Sequence, residues 1–186
     1  MVAEDDPRYI RSRRLLRSAV IELAGGNPQN LTISQICKHT GVDRATFYRH
    51  FPDVEHLVAD ALVALADESA HQWEQQLGEH EDEFGPSVLY GYIAHVGEHR
   101  PLYRWALGST GSAAAIHGVL QRMVAATEAT LRKTEGVLPS EEIHRRGGFA
   151  GGAVLGTLLT WLSDPEPASA VELAMWVNAQ LAEIFR

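Results

Sequence analysis

The sequence of 186 residues predicts an all-α fold, in which three short N-terminal helices are joined by a long fourth helix to a larger C-terminal helical bundle. Apolar residues recur at helical spacing along nearly the whole chain, and strand signals are nearly absent. Two well-marked helix starts with a glycine between them fall within residues 32–51, and glycines recur every fourth residue from 148 to 156. We therefore expect two units, residues 1–52 and residues 53–186.

The first helix is predicted to begin at Pro7, because proline is suited to the first turn of a helix. Its apolar residues fall on one stripe, as expected for a helix with one buried face. The run GGNPQN, residues 25–30, is predicted to end it. The stripe comprises Ile10, Leu16, Ala19, Val20 and Leu23.

The second and third helices have the clearest predicted boundaries. Thr32 and Gln35 have the spacing of a capping box, and Gly41 suits the left-handed conformation that ends many helices. Asp43 is then placed to cap the third helix. Two short helices around a glycine-containing turn are the pattern of a helix-turn-helix.

The fourth helix is predicted to start after the FPD turn at residues 51–53. An acidic linker, GEHEDEFGP at residues 78–86, is expected to separate it from the rest of the bundle. The last helix has its own capping box, formed by Ser169 and Glu172. The C-terminal helices are expected near residues 86–99, 101–108, 112–134, 140–163 and 169–185.

The composition is that of a soluble globular protein, with 45% hydrophobic and 22% charged residues. The single cysteine, Cys37, excludes an intramolecular disulfide. The N-terminal segment lacks the apolar region of a secretory signal. The most apolar run, residues 147–162, is 16 residues long, which is short for a membrane span. We expect a cytoplasmic protein with no membrane partner.

The charge is distributed unevenly along the chain, although its net value of −8 alone argues against a polyanion partner. Between Arg8 and His50 there are eight Lys or Arg and two acids, a local balance of +6. From Ala61 onward there are eight bases and sixteen acids. Such asymmetry indicates a nucleic-acid partner for the basic segment. The alternative is a solvated basic face.

Residues 32–51 contain polar side chains without an expected role in the core. In helix-turn-helix motifs the N-terminal residues of the second helix meet base edges in the major groove. Arg44 can donate two hydrogen bonds to a guanine edge, and Thr46 can bond to a base or contact a thymine methyl. A motif that serves only for packing is the alternative. The residues left without a role in the core are Arg44, Ala45, Thr46, Tyr48, Arg49 and His50.

Neighbouring groups can bind the DNA backbone. The hydroxyl of Tyr48 and the imidazole of His50 offer donors to phosphates. The residues at the start of the second predicted helix, which is the first helix of the motif, have free backbone N–H groups. These groups can also bind a phosphate. Each residue has an alternative role, since Tyr48 can be half-buried core and Arg49 a solvated helix residue. The expected backbone contacts are Thr32, Ser34, Tyr48, Arg49 and His50, with Arg8 and Arg11 of the first helix.

The segment LTISQICKHTGVDRATFYRHFPDVEHLVADAL resembles the DNA-binding segment of TetR-family transcriptional regulators, and the TFYRHF element is specific to it. The resemblance covers roughly residues 10–62. It implies a homodimeric all-α regulator that binds palindromic operators through its N-terminal domain and a small inducer through its C-terminal bundle. It also implies base or near-base contacts from Arg44, Ala45 and Thr46, and phosphate contacts from Thr32, Tyr48 and His50.

The sequence departs from the family pattern at Val54, where members commonly have a lysine at the start of the fourth helix. The following residue is Glu55, so a phosphate contact expected there is missing. The arginines of the first helix are the expected compensation. His56 is a weak substitute, because a histidine is mostly neutral at pH 7.

The glycines of the eighth predicted helix form a stripe that permits the close approach of another helix. The segments EHRPLYRWALG and GGFAGGAVLGTLLTWL resemble those of TetR-like proteins in which the last two helices pair across the dimer axis. We expect a two-fold dimer interface here, and close packing within one subunit is the alternative. The expected interface residues are Gly148, Gly152, Gly156, Trp176 and Leu181.

Aromatic and titratable residues in the middle helices predict an apolar ligand cavity with a few polar anchors. His95 and His99 lie four residues apart, so both rings can face one side of a helix. Zinc requires further ligands that the sequence does not identify, and we predict neither a metal nor a cofactor. The candidate ligand-binding residues are Tyr90, Tyr92, His95, Tyr103, Trp105, His117, Met123 and Trp161.

The function predicted from these features is a sequence-specific DNA-binding regulator, a homodimeric repressor released from a palindromic operator by a small-molecule effector. One alternative is a DNA-binding regulator without a ligand, either constitutive or controlled by a partner protein. Another is a small metal-dependent enzyme that uses the histidines. The sequence contains no HExxH, GxSxG or phosphate-loop motif, so we do not expect an enzyme.

Overall fold

The computed structural model describes residues 6–24, 31–77, 87–108, 111–134 and 138–184. Within these ranges the regular secondary structure is entirely helical. The helices are α1 (Pro7–Ala24), α2 (Ile33–Thr40), α3 (Arg44–His50), α4 (Val54–Leu77), α5 (Ser87–Glu98), α6 (Arg100–Leu107), α7 (Ala113–Thr134), α8 (Ser140–Ser163) and α9 (Ala170–Ile184). None of the described helices is long and apolar enough to cross a membrane.

Local capping fixes the boundaries of α2 and α3. The Thr32 side chain accepts from the backbone N–H of Gln35, and the Gln35 side chain accepts from the backbone N–H of Thr32 at 2.9 Å. Gly41 ends α2 with a φ of 72°, a left-handed conformation that favours glycine. Asp43 begins α3, with its carboxylate accepting from the Thr46 N–H at 2.8 Å. The turn between the two helices is therefore set by residues adjacent in sequence.

The core extends without interruption from the N-terminal helices into the bundle. Helix α4 packs against α1, α5 and α7. Helix α6 contacts α1 as well as α4, α5, α7 and α8, so it lies where the two parts meet. The largest fully buried side chains are Leu16, Ile36, Phe47, Leu57, Leu62, Ile93, Tyr103 and Leu158.

The glycines of α8 divide between two faces of that helix. Gly151 lies against α7, where an added Cβ would come 3.0 Å from the backbone nitrogen of Val124. Gly148, Gly152 and Gly156 face open space, with nothing within 4 Å of an added Cβ. Close packing within the subunit therefore uses one row of glycines, and the other row lies on the surface.

The predicted fold class is confirmed, and the predicted helices agree with the observed ones to within one or two residues at their ends. The capping box at the start of α9 is present, with the Ser169 N–H donating to Glu172 at 2.9 Å. The predicted helix stop at residues 25–30 and the acidic linker at residues 78–86 lie outside the described residues. The division between residues 1–52 and 53–186 stays a prediction.

Candidate nucleic-acid interface

Helix α3 buries one face and exposes the other. The Phe47 side chain is fully buried and Phe51, directly after the helix, is nearly so. Arg44, Ala45 and Arg49 are exposed. Tyr48 has 51% of its surface accessible, although an aromatic ring of this size is usually mostly buried. The exposed face combines two cations, a small residue and an amphipathic ring. Such a face can contact the phosphates and base edges of DNA.

Hydrogen bonds on α3 hold its exposed polar side chains near one another. Arg44 donates from Nη2 to the Tyr48 hydroxyl at 3.4 Å, and its guanidinium lies 6.0 Å from the centre of the Tyr48 ring. Arg49 donates from Nη2 to Thr46 Oγ1 at 3.1 Å. Thr46 in turn donates to Asp43 at 2.9 Å. These contacts are long or exposed, so the two arginines can exchange them for contacts with a partner at little cost.

The start of α2 presents backbone donors to solvent beside this face. Thr32 and Ser34 are both exposed. The Thr32 hydroxyl is used within the cap, since it donates to Gln35 at 2.8 Å. Ser34 lies in the first turn of α2, where N–H groups have no partner inside the helix. This end of α2 therefore offers N–H donors and the positive end of the helix dipole to an anion.

The arginines of α1 separate into two groups. Arg13 and Arg17 are half-buried and share the carboxylate of Asp60 on α4, each with one bond of 2.6 Å. Burial would raise the pKa of Asp60, but the hydrogen bonds and charges of Arg17 and Arg13 outweigh it and lower that pKa. Arg8 and Arg11, which the sequence assigned to DNA, are exposed. One group fastens α1 to α4, and the other remains on the surface.

His50 lies against α1, with its ring turned inward. Its Nε2 lies 2.7 Å from the Ser12 hydroxyl, and its ring centre lies 4.1 Å from that of Tyr9. Its Nδ1 is buried without a hydrogen-bond partner among the described residues. Burial, followed by the charges of Arg49 and Arg13, lowers the pKa of His50, so the ring is neutral at pH 7. The structure gives His50 a packing role, and its phosphate contact stays a prediction.

At the start of α4, Val54 is half-buried and packs against the core. The adjacent Glu55 accepts a hydrogen bond from the Ser112 hydroxyl at 3.0 Å. Ser112 is buried and immediately precedes α7. The position at which the family commonly has lysine is thus occupied here by a packing residue. Its neighbour connects α4 to the C-terminal bundle.

Three of the predicted ligand-binding residues form a cluster at α5 and α6, in which His95 and Tyr103 are buried and Tyr92 is half-buried. The hydroxyls of Tyr92 and Tyr103 are hydrogen-bonded, and His95 Nε2 lies 3.2 Å from the Tyr103 hydroxyl. Burial raises the pKa of both tyrosines. Burial, followed by the charge of His99, lowers the pKa of His95 to about 4. At neutral pH the cluster is therefore uncharged.

The other predicted ligand-binding residues have different environments. Met123 and Trp161 are buried, and the Trp161 indole N–H donates to the Ala168 carbonyl at 2.7 Å. Tyr90 and Trp105 are half-buried, whereas His117 is exposed. The structure brings Tyr92, His95 and Tyr103 together and places His117 at the surface of α7.

The exposed faces of α8 and α9 carry large apolar side chains. Phe149 is 56% exposed on α8, and Met175 and Trp176 are 65% and 55% exposed on α9. Helix α8 also carries the outward-facing row of Gly148, Gly152 and Gly156. Leu181, predicted at the interface, is half-buried and packs against the core of its own subunit. Where large exposed apolar residues form one contiguous patch, the patch usually marks an interaction surface.

Two contributors to these sites were missed in the sequence. Asp60 was not identified as the partner of Arg13 and Arg17, and no local pattern links residues more than 40 positions apart. Glu98 lies one residue before His99 and three after His95, a spacing that places all three near one another on a helix. That signal was visible in the sequence.

Residues 15–61 match the family model described as bacterial regulatory proteins of the tetR family. The TetR transcriptional regulator from Streptococcus agalactiae 2603V has a similar structure, with a TM-score of 0.58 and 18% identity over 95% of this chain and 96% of that chain. A transcriptional regulator from Rhodococcus sp. Rha1 gives a TM-score of 0.53 and 19% identity over 94% and 96% of the two chains. No curated protein matches the chain in sequence.

These comparisons confirm the resemblance that the TFYRHF segment predicted. The family match covers the helix-turn-helix and the start of α4, which are the elements described above as the candidate interface. The solved structures share the fold over nearly the whole length. The described part of the chain therefore shares the fold of these regulators, and residues 15–61 match the tetR-family model.

Proposed function

We propose that this protein is a homodimeric transcriptional repressor that binds a palindromic operator through α2 and α3 and is released by a small-molecule effector. The observation that carries the proposal is the face of α3 on which Arg44, Ala45, Tyr48 and Arg49 are all exposed. The tetR-family match to the same residues supports it. The residues proposed to contact DNA are Thr32, Ser34, Arg44, Ala45, Thr46, Tyr48, Arg49 and His50, with Arg8 and Arg11.

The roles differ along the interface. Arg44, Ala45 and Thr46 lie in the first turn of α3 and are proposed to read base edges. Tyr48 and the N–H groups near Ser34 are proposed to bind phosphates on either side. Since several arginines then displace counterions, operator affinity should fall steeply with salt concentration.

A dimer is proposed because a palindromic operator requires two recognition helices at a fixed separation. The α8 and α9 surface is the proposed interface. It supports the assignment through its exposed Phe149, Met175 and Trp176 and through the outward-facing row of glycines on α8. Two copies joined there would cover apolar area that one copy leaves in water.

The effector is proposed to bind within the helical bundle, near the cluster of Tyr92, His95 and Tyr103. These side chains supply hydroxyl and imidazole groups inside an otherwise apolar core, which is the usual composition of a small-molecule site. Helix α6, which contributes Tyr103, also contacts α1 and α4. A ligand that displaced α6 would therefore alter the support of the DNA-binding helices.

The second candidate is a DNA-binding regulator that takes no small molecule. It is favoured by the complete burial of Tyr103, which leaves that side chain without contact with solvent. This alternative would be supported if the affinity of the protein for its operator stayed unchanged when the substrates and products of the neighbouring enzymes were added.

The proposed function is tested by incubating the purified protein with sheared genomic DNA and sequencing the retained fragments. We expect a small set of promoter fragments that share a two-fold symmetric site. Retention of fragments without any common sequence would contradict the proposal. The genes next to the retained sites would then supply the first effector candidates.

A further inference from the structure

We propose that His95, Glu98 and His99 form a binding site for a divalent transition-metal ion of the zinc class. One ligand atom from each of the three residues lies within 4.8 Å of the others. The two imidazole rings are 4.7 Å apart between centres. The site lies at the junction between the last turn of α5 and the start of α6.

The spacing of the three residues suits a single ion. Positions i, i+3 and i+4 fall on one face of a helix, so the side chains of His95, Glu98 and His99 can converge. A tetrahedral ion with bonds of about 2.0–2.2 Å holds its ligands about 3.3–3.6 Å apart. Since the ligand atoms lie within 4.8 Å of one another, they need to close by at most about 1.5 Å, which side-chain rotation can supply.

Two imidazoles and one carboxylate are the donor set that zinc-class ions accept in proteins. Three protein ligands leave a fourth position for water or for a donor group of another molecule. His95 is buried, His99 is half-buried and Glu98 is exposed. The site therefore has an anchored inner ligand and a solvent-facing side through which an ion can enter.

A hydrogen-bonded partner orients the inner ligand. His95 Nε2 lies 3.2 Å from the Tyr103 hydroxyl, and that hydroxyl is also bonded to Tyr92. With Nε2 held in this way, Nδ1 of His95 is the atom that we assign to the metal. Such second partners are a regular feature of metal-binding histidines, because they fix the ring orientation and the tautomer.

Among the described residues, no side-chain hydrogen bond or ion pair is found for the other two ligands. His99 occupies the N-cap position of α6, but its side chain makes no capping hydrogen bond. The neighbouring cation, Arg100, points to the end of α8, where it donates to the Trp161 and Asp164 carbonyls at 2.9 and 2.6 Å. Its charge is thus directed at those carbonyls and not at the carboxylate of Glu98.

The position of the site couples metal binding to the packing of neighbouring helices. An ion shared by Glu98 and His99 would fasten the end of α5 to the start of α6. Helix α6 contacts α1, and α1 packs against α2 and α3. Metal occupancy would therefore act on the same helix that supports the DNA-binding segment, while the binding itself does not depend on the proposed function.

The test measures metal binding directly on the full-length protein, without DNA. Chelator-treated protein is titrated with Zn²⁺ by calorimetry and with Co²⁺ by visible absorption. We expect wild-type protein to bind one ion per chain more tightly than the His99→Ala variant does, and to give the ligand-field bands of a low-symmetry Co²⁺ site with nitrogen ligands. His99→Ala and Glu98→Gln are the test variants, because neither residue is fully buried. His117→Ala, at an exposed histidine on α7, is the control.

The expected result is that His99→Ala weakens Zn²⁺ binding by at least the roughly 10- to 100-fold that loss of an outer-shell partner costs. The Glu98→Gln change should weaken it in the same direction, and His117→Ala should leave it unchanged. The proposal is overturned if wild-type protein binds no ion, or if the His99 and Glu98 variants bind as tightly as wild type. Circular dichroism of each variant ensures that the comparison is made on folded protein.

Discussion

Arg44 is the residue on which the proposed base readout depends most. Its side chain is exposed in the first turn of α3, and its guanidinium donates to the Tyr48 hydroxyl at 3.4 Å and lies 6.0 Å from the centre of that ring. Replacement by alanine should relax the base preference at one position of each half-site by about 1–3 kcal/mol. Competition binding with operator variants measures this change. Arg145→Ala, at an exposed arginine of α8, is the control of equal charge, and equal base preference in both variants would refute the role of Arg44.

Tyr48 is expected to contribute affinity without sequence preference. Its ring is half exposed, and its hydroxyl is available to a phosphate oxygen. Tyr48→Phe keeps the ring and removes one donor, so binding to every DNA sequence should weaken by about 1–2 kcal/mol. Filter binding to the operator and to unrelated duplexes gives both numbers. A loss confined to the operator would show that Tyr48 reads bases instead.

For individual residues, the sequence predicted a conformation correctly wherever that conformation is determined by neighbours along the chain. The cap at Thr32, the cap at Asp43 and the left-handed Gly41 follow from chemistry within three or four positions, and all three are present. The inward orientation of His50 was not predictable, because it depends on Tyr9 and Ser12 of a separate helix. Glu98 was overlooked although its spacing from the two histidines is visible in the sequence.

Among contacts between helices, the ion pairs of Asp60 with Arg13 and Arg17 join α4 to α1 and help to fix the packing of these two helices. Asp60→Asn removes the charge that Arg13 and Arg17 share, and should lower the free energy of unfolding by about 1–2 kcal/mol after solvent screening of these half-exposed arginines. Urea denaturation at pH 7 measures the difference.

The same contact predicts a dependence on pH. The pKa of Asp60 is lower in the folded state than its unfolded value of about 3.9. Its contribution to stability is therefore complete above that value and is lost as the pH falls through the folded pKa. The difference in unfolding free energy between wild type and Asp60→Asn should shrink as the pH falls below about 4. A difference that stays constant on acidification would contradict the assignment.

The contact between α7 and α8 depends on glycine at one position. A Cβ at Gly151 would lie 2.9 Å from Val124 Cγ2 and 3.0 Å from its backbone nitrogen, so Gly151→Ala should destabilise the fold by about 1–3 kcal/mol. Gly118→Ala on α7 is the matched control, since its Cβ would meet Val63 at an ordinary 3.6 Å. That variant should gain up to about 1 kcal/mol from helix propensity. Thermal unfolding that ranks the two variants in the opposite order would refute this packing.

The helices themselves were predictable, because apolar periodicity, caps and breakers act within each segment. How the glycines of α8 divide between two faces was not. Gly151 and Gly152 are equivalent in a sequence pattern, yet one contacts Val124 and the other faces open space. Only the direction from which α7 approaches distinguishes them.

For the molecule as a whole, the exposed faces of α8 and α9 predict self-association. Trp176→Glu places a charge on the apolar surface and should convert a dimer into a monomer, because an unpaired carboxylate in an interface costs several kcal/mol. Sedimentation at micromolar concentration gives the state of each protein. Leu15→Glu makes the same kind of change at an exposed leucine of α1 and should leave the dimer intact. A wild-type protein that sediments as a monomer would remove the dimer from the proposal.

The overall architecture was within reach of the sequence because the TFYRHF segment identifies a family with one fold. The contacts that join the N-terminal helices to the bundle could not be predicted from the sequence, since they are made by residues far apart along the chain. The Ser112 hydroxyl meets Glu55 at the start of α4, and α6 lies against α1. Under the proposed function, an effector in the bundle would act through these contacts on the helices proposed to bind DNA.

The central claim is that this protein reads a specific, two-fold symmetric DNA sequence with α3. The most direct test is selection of bound duplexes from a randomised pool by the purified full-length protein, followed by sequencing. The account predicts enrichment of a palindrome for wild type and for Arg145→Ala, with loss of preference at one symmetric pair of positions for Arg44→Ala. Selection of no common sequence by the wild-type protein would contradict it.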